Sequence, residues 1–329
     1  MADVKRIRVA AIQIKSKLGQ PEENIRHTIP YIEQAAKENA QLVALPEMCL
    51  SGYTLARQDW QNSEPIGGSS ERWLSETARR LGIHLCTGLV QFEGEDFYNT
   101  YLVADSEGTI VGRVRKTQTE VGIHMAGSLD SHFVDTCFGQ IGIGICADNH
   151  MVSFARLMRE KNIDLLLMPH ASPVPYRMST LIKESDIMEA EGKIRDFAKL
   201  YAGFFGIPTV LVNQVGSIEG ERWPGILGRL VTPEHFIYPG FSTIVDSDTI
   251  IKAQLQKQEG VIVADVTLDP ARKRCTPIPD YGGWIHPGSA IFRRIILGID
   301  ISWGKLQYRL GGGTRKKIVT RKTRESKGE

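Results

Sequence analysis

Three side chains of different chemistry stand at the abrupt ends of short apolar runs. Glu47 closes LVALPE, Lys116 closes IVGRVRK and Cys146 closes IGIGIC. Each run has the length of a buried strand, and side chains at the carboxyl ends of neighbouring strands in an open sheet can converge on one crevice. Brought together there, a carboxylate, an ammonium and a thiol form a device for covalent acyl transfer. The carboxylate takes the thiol proton as general base and later returns it to a leaving amine. The ammonium stabilises the thiolate and the oxyanion that develops on an attacked carbonyl. The ionised sulfur carries the acyl group until water releases it. Singly, each residue also has a plainer role. A cysteine is commonly buried as a small hydrophobe, Glu47 can accept bonds from the turn after Pro46, and Lys116 can be one more cation beside Arg113 and Arg115.

The elements that must position these residues alternate along the chain. Residues 7–13 (IRVAAIQ) read as a buried strand, and Pro21-Glu22-Glu23 opens a helix with proline and acids at its positive end. Ile25, Ile29, Ile32 and Ala36 recur on one face of that helix, and Pro30 is expected to kink or shorten it. Strand 41–45, helix 69–81 and strand 83–92 follow. A hairpin comes next, in which TYLVAD and TIVGRVRK flank Ser106-Glu107-Gly108. Strand 140–145, helix 152–161, strand 163–168, a long helix within 180–205 and strands 208–213, 241–245 and 260–266 complete the pattern. Strands alternating with helices, with hairpins between, predict an α/β domain with mixed sheets. One domain is expected over 1–270, then an irregular 271–310 extension that wants a packing partner. The charge run at 311–329 reads as a basic, disordered tail.

The totals exclude several classes. The chain has 329 residues, 42% hydrophobic and 24% charged, with a formal charge of +2, which gives no overall reason to bind nucleic acid. The tail alone is strongly basic, with seven Lys/Arg against two acidic residues. The opening MADVKRIRVAAIQ does not read as a secretory signal, and no uncharged run approaches a membrane span. Five widely spaced cysteines, at 49, 86, 137, 146 and 275, form neither a disulfide framework nor a zinc pattern. A cytoplasmic protein without membrane or nucleic-acid partners is the expectation.

Three ordered motifs, LPEMCLSGY, GRVRKTQTE and GIGICADNH, closely resemble the signatures of the nitrilase (carbon-nitrogen hydrolase) superfamily. PHASP at 169–173, IPTVLVNQVG at 207–216 and GFSTIVD at 240–246 extend the resemblance over about residues 6–270. It implies a four-layer α-β-β-α sandwich, paired as a homodimer or higher homo-oligomer, with 271–310 as a dimer arm. It assigns Glu47 as general base, Lys116 as oxyanion-stabilising lysine and Cys146 as nucleophile, and the backbone N–H of Ala147 as a second oxyanion donor. Many members place a further glutamate several residues before a Pro-Gly. Here Glu120 lies seven residues before Gly127, with Ala126 in the proline's place, and is assigned to acid/base support or substrate positioning. Its plain alternative is a surface loop carboxylate. No metal or organic cofactor is implied.

The departures from the family pattern bear on substrate. Nitrile-cleaving members typically follow the cysteine with Trp-Glu, and Ala147-Asp148 here resembles the amidase branch. Carbamoyl-amino-acid hydrolases usually carry an arginine three residues after the cysteine, where a guanidinium grips a carboxylate in a bidentate manner. Asn149 occupies that place, and Met151-Val152-Ser153 replaces the common Phe-Pro-Glu beyond it. The expectation is therefore hydrolysis of a small amide. A nitrilase, an N-carbamoyl amide hydrolase and a catalytically silent scaffold of the same fold are the alternatives. Tyr53, Asn149 and His170 are candidates for lining the pocket. Tyr53 could equally be a core aromatic, Asn149 a helix N-cap and His170 a loop histidine bonded to backbone.

Overall fold

Alternation along Lys5–Gln13 (β1) establishes the layering, because successive side chains of a strand point to opposite faces. Ile7, Val9 and Ala11 enter one buried cluster, while Ala10 and Ile12 enter another. The computed structural model describes residues 4–54, 56–119, 123–178, 182–220, 233–287 and 297–327. Among these, β1 lies in a sheet ordered Gly260–Leu268 (β16), β1, Leu42–Ala44 (β2), His84–Glu93 (β4), Asp96–Ala104 (β5) and Ile110–Arg115 (β6), with Glu64–Pro65 (β3) also paired to β4. A second sheet is ordered Ile251–Gln254 (β15), Thr243–Val245 (β14), Thr209–Asn213 (β11), Leu165–His170 (β9), Gly139–Ile143 (β8) and Phe133–Thr136 (β7). Val174–Pro175 (β10), Phe236–Pro239 (β13) and Val215–Ser217 (β12) form a small third sheet. Both large sheets are mixed. β1, β2 and β4 run parallel, as do β8, β9 and β11, while the flanking pairs are antiparallel.

The inner faces of the two large sheets meet in one core, where Val9, Ala44, Tyr101 and Val114 pack with Ile143, Leu167, Val210 and Ile244. The outer face of the first sheet is covered by helices Pro21–Lys37 (α1) and Ser69–Leu81 (α3), through Ile32, Ala35, Leu74 and Ala78, with the short helix Gln58–Gln61 (α2) between them in the chain. The outer face of the second is covered by Val152–Glu160 (α4) and Glu184–Phe205 (α5), through Phe154, Ala155, Phe197 and Tyr201. The result is the expected four-layer α-β-β-α sandwich. Strands buried on both faces need near-continuous apolar sequence, which is why LLLMPH and TVLVN read so plainly. Among the described residues, no helix is long and apolar enough to cross a membrane.

Three expectations are corrected. Helix α1 continues through Pro30, which is exposed, as is Arg26, whose carbonyl the proline cannot bond. Its buried stripe is Asn24, Thr28, Ile32 and Ala35, rotated from the all-apolar face, because the Asn24 amide bonds Lys17 O and Leu50 O across to the neighbouring loop. In place of a disordered tail, residues Gly312–Lys327 form a helix (α7) that follows helix Leu297–Leu310 (α6). A buried stripe of Gly311, Arg315 and Ile318 seats α7 beside Trp60, Phe92, Phe97 and Tyr308. The Arg315 guanidinium lies 3.7 Å from the Tyr308 ring centre, and its Nε donates to Glu95 O at 3.0 Å. The Tyr308 hydroxyl in turn accepts from Phe97 N at 3.0 Å and donates to Asp96 Oδ1 at 2.9 Å.

Candidate active site

Glu47 stands just beyond β2, and its surroundings fix both its backbone and its carboxylate. Tyr101 Oη donates to Leu45 O at 2.8 Å and Gln214 Nε2 to Glu47 O at 2.8 Å. Gly88 of β4 passes so close that a Cβ there would lie 2.3 Å from Met48 N, so no side chain can be accommodated. Lys116 follows β6, with its N–H bonded to Asn99 O at 2.9 Å. Its Nζ donates to Glu47 Oε1 at 2.7 Å, both residues being essentially inaccessible to solvent. Asn99 Nδ2 donates to the same oxygen at 2.7 Å, and Ala171 N donates to Oε2 at 2.8 Å. Each carboxylate oxygen accepts about two bonds. Oε1 is thus saturated, while Oε2 keeps one lone pair with no donor among the described residues, which makes it the atom able to receive a proton. Breaking so buried a pair on one side costs about 3–5 kcal/mol, because the other charge is left uncompensated.

Cys146 follows β8 and opens a single 3-10 turn, Cys146–His150, with φ at +47°, a conformation that non-glycine residues adopt only under constraint. The constraint is visible. Asp148 Oδ2 accepts from Ile145 N at 3.2 Å, while its Oδ1 accepts from Thr117 N at 3.1 Å and Gln118 N at 2.6 Å. One buried carboxylate thereby ties the turn carrying Cys146 to the loop carrying Lys116. Burial pushes the Asp148 carboxyl above the usual range, and His132, the Gln118 and Ile145 amides and Lys116 pull it back. Asn149 Nδ2 donates to Gly144 O at 2.6 Å, and Gly144 must be glycine because a Cβ would meet Asn149 Oδ1 at 1.9 Å. Cys146 Sγ lies 3.2 Å from Ser172 Oγ. Ser172 follows Ala171, which holds Glu47, so the thiol and the carboxylate are joined through two consecutive residues beyond β9.

The structure thus brings Glu47, Lys116 and Cys146 to the carboxyl ends of strands from both sheets. Tyr53 is nearly buried, with Lys116 Nζ 5.9 Å from its ring centre and Tyr238 edge-on at 6.4 Å. Ala147 sits directly after Cys146 in the turn. Asn149 and His170 present no exposed surface to a pocket. Both are fully buried behind Cys146, where Asn149 Nδ2 bonds Gly144 O and His170 Nε2 and His170 Nδ1 bonds Ser172 Oγ, while Asn149 Oδ1 has no hydrogen-bond partner among the described residues. Burial holds the His170 imidazole well below its ordinary pKa, with help from the charges of His150 and Lys116. Glu120 lies outside the described residues. No structural role for Asn99, Asp148, Ser172 and Asn213 is read from the sequence, although GIGICADNH, PHASP and VNQ contain three of them. Asn99 carried no signal, being one polar residue in a strand pattern.

Beside the loop after Lys116, a cavity of about 370 Å³ opens against helix α6. Its lining includes Thr117, Gln118, His124 and Tyr308, with Lys305 and Arg309 as cations and no acidic side chain among the described residues.

The sequence profile of the family described as Carbon-nitrogen hydrolase matches residues 8–274. The chain is 32% identical over 260 residues to an omega-amidase of Xenopus tropicalis, covering 75% of this chain and 84% of that one. It is 31% identical over 173 residues to the 2-oxoglutaramate amidase of Bacillus subtilis (strain 168), covering 51% of this chain and 66%, just under two thirds, of that enzyme. In fold it is similar to the crystal structure of a carbon-nitrogen hydrolase from Helicobacter pylori G27, with a TM-score of 0.67 at 21% identity, covering 82% of this chain and 91% of that one.

Proposed function

We propose that this chain, which belongs to the carbon-nitrogen hydrolase family, cleaves the C–N bond of a small amide through a thioester on Cys146. The observation that carries the reading is the buried Glu47–Lys116 pair joined to Cys146 through Ala171 and Ser172. Glu47 Oε2 takes the thiol proton, and the sulfur attacks the amide carbon. The tetrahedral oxyanion is held by Lys116 Nζ and the Ala147 N–H. As it collapses, the C–N bond breaks and the nitrogen leaves with the proton from Glu47. Water, deprotonated by Glu47, then attacks the thioester, releasing the acid and restoring the thiol.

The names of the amidase relatives and the cationic cavity support an amide that bears a carboxylate at its far end. Lys305 and Arg309 supply charge for that group, and the Gln118 side-chain amide supplies a hydrogen bond. The proposal includes a homodimer. Trp303, Leu306 and Leu310 of α6 are exposed at helical spacing and offer it an apolar face, and sedimentation velocity reads the association.

The test is ammonia release from neutral amides, ω-amides of small dicarboxylic acids, nitriles and carbamoyl compounds, run beside Cys146→Ala and Glu47→Gln. Release from amides that vanishes in both variants is the expected result. Full activity in Cys146→Ala removes the nucleophile assignment, turnover of nitriles alone moves the chain to the nitrilase reading, and silence throughout favours a scaffold.

A further inference from the structure

We propose that Ser172 donates a hydrogen bond to the sulfur of Cys146, and that His170 and Asn149 fix the direction of that bond, so that a one-way chain of neutral donors stabilises the thiolate. The proposal rests on Cys146 being the nucleophile. By distance alone, 3.2 Å between Oγ and Sγ, either atom could donate. The direction follows from the far end of the chain. Gly144 O can only accept, so the Asn149 side-chain atom 2.6 Å away must be the amide nitrogen, which settles the orientation of that amide. The second N–H of the same group faces His170 Nε2 at 3.0 Å, so Nε2 accepts. The proton of a neutral ring is then on Nδ1, which donates to Ser172 Oγ at 2.8 Å. One of the two lone pairs of Ser172 Oγ is engaged by His170, and the hydroxyl proton is directed to Cys146 Sγ, the other polar atom bonded to it among the described residues.

The arrangement is closed and rigid. It starts at Gly144, passes through Asn149, His170 and Ser172, and returns to Cys146 two residues from where it began. Asn149 and His170 are fully buried and Ser172 is 6% exposed. Ser172 N donates to Asn213 Oδ1 at 3.0 Å, and Asn213 Nδ2 donates to Gly240 O at 3.0 Å, so the serine backbone is held from β11. The low basicity of the buried His170 ring keeps it singly protonated, which the direction requires. Buried hydrogen bonds aligned in one sense polarise one another. Ser172 thus supports the anion without placing a second charge beside Lys116. No bond in the chain breaks during turnover: the thiol proton still goes to Glu47, and the Ser172 proton stays on its oxygen. Ser172 is assigned as a catalytic residue, His170 and Asn149 as positioning residues.

Two measurements test this on the full chain. Two-bond proton–nitrogen correlation on protein labelled at histidine reads the tautomer, with the His170 signal identified by its loss in His170→Gln. A ring protonated on Nδ1 and bare on Nε2 is expected at pH 7, and a proton on Nε2 overturns the direction. The second is the pH dependence of Cys146 alkylation by iodoacetamide, corrected with Cys146→Ala for the exposed Cys137 and Cys275. Lys116, Glu47, Asp148, His132, His150, Tyr53 and Tyr201, charged and titratable groups among the described residues of the surrounding elements, are unchanged in the variants. In Ser172→Ala the midpoint should rise by about one to two pH units, the range expected for loss of a hydrogen bond to an anion. Its kcat should fall at least about tenfold with little change in KM, and Ser172→Thr should restore both. An unmoved midpoint in folded Ser172→Ala overturns the role. Should Ser172→Ala not fold, the tautomer and Ser172→Thr decide. Amide turnover surviving in Cys146→Ala would instead refute the nucleophile assignment, whatever the tautomer.

Discussion

Replacing Asp148 tests whether one buried carboxylate holds the loops that carry Lys116 and Cys146 together. In Asp148→Ala, the N–H groups of Ile145, Thr117 and Gln118 lose their acceptor at once. A buried donor left unpaired costs about 1–3 kcal/mol. The simple sum overshoots, because the three share one acceptor, water can occupy the vacated space, and the cost of burying a carboxylate is recovered. A loss of about 3–4 kcal/mol remains, a large part of a domain's usual 5–15 kcal/mol. Asp148→Asn keeps an oxygen for Thr117 and Gln118 but turns an NH2 toward Ile145 N–H, so it should cost about 1–3 kcal/mol. Burial raises the folded pKa of Asp148 above 3.8, so its ionisation penalty is absent below 3.8 and full above the raised value. The margin of wild type over Asp148→Asn therefore narrows as pH rises through that window. Since Thr117 and Gln118 follow Lys116, a shift of about 1 Å in that loop should lower kcat about 100-fold. Urea unfolding at pH 7 with ammonia release on the same samples reads both effects. An alanine variant within about 0.5 kcal/mol of wild type, the ordinary range for an inconsequential surface change, refutes the tie.

Four further outcomes follow from the same geometry. His170 has a folded pKa well below 6.5, so the stability it contributes is present above 6.5 and lost progressively as pH falls below it, and urea midpoints of His170→Gln should lack that pH-dependent component. Gly144→Ala forces a Cβ to within 1.9 Å of Asn149 Oδ1 and 2.7 Å of Phe154, and should destabilise by about 1–3 kcal/mol in thermal unfolding. Lys305→Ala and Arg309→Ala should each raise KM about tenfold for a carboxylate-bearing amide and leave a neutral amide unaffected; equal effects on both would remove the carboxylate role. Arg315→Ala strips the guanidinium from Tyr308 and should open α7 to trypsin at Lys316 and Lys317 while amide hydrolysis persists, as limited digestion with parallel assays would show.

The parts of this molecule that were legible are those where one face decides the matter. Core strands are apolar on both sides, so the runs before Glu47, Lys116 and Cys146 announced themselves, and a polar residue ending each run marked the crevice. What stayed hidden was polar burial. Asn24 and Thr28 replace apolar residues on the inner face of α1, and a count of hydrophobic positions therefore rotates the helix. Seven basic residues in 311–329 mask the spacing of Gly311, Arg315 and Ile318, which forms a stripe only because an arginine can lie flat on aromatic rings. Asn149 and His170 were legible as important and illegible in depth, because nothing in a sequence says whether a polar side chain meets solvent or another side chain. Their partners lie far along the chain. Ala171 reaches Glu47 across 124 residues and Lys116 reaches it across 69, so no local pattern encodes the contact. Strand ends can be read one at a time, whereas a buried hydrogen-bond network exists only once both sheets have packed. That is why the acid, amine and thiol could be named from the sequence, and the serine that touches the sulfur could not.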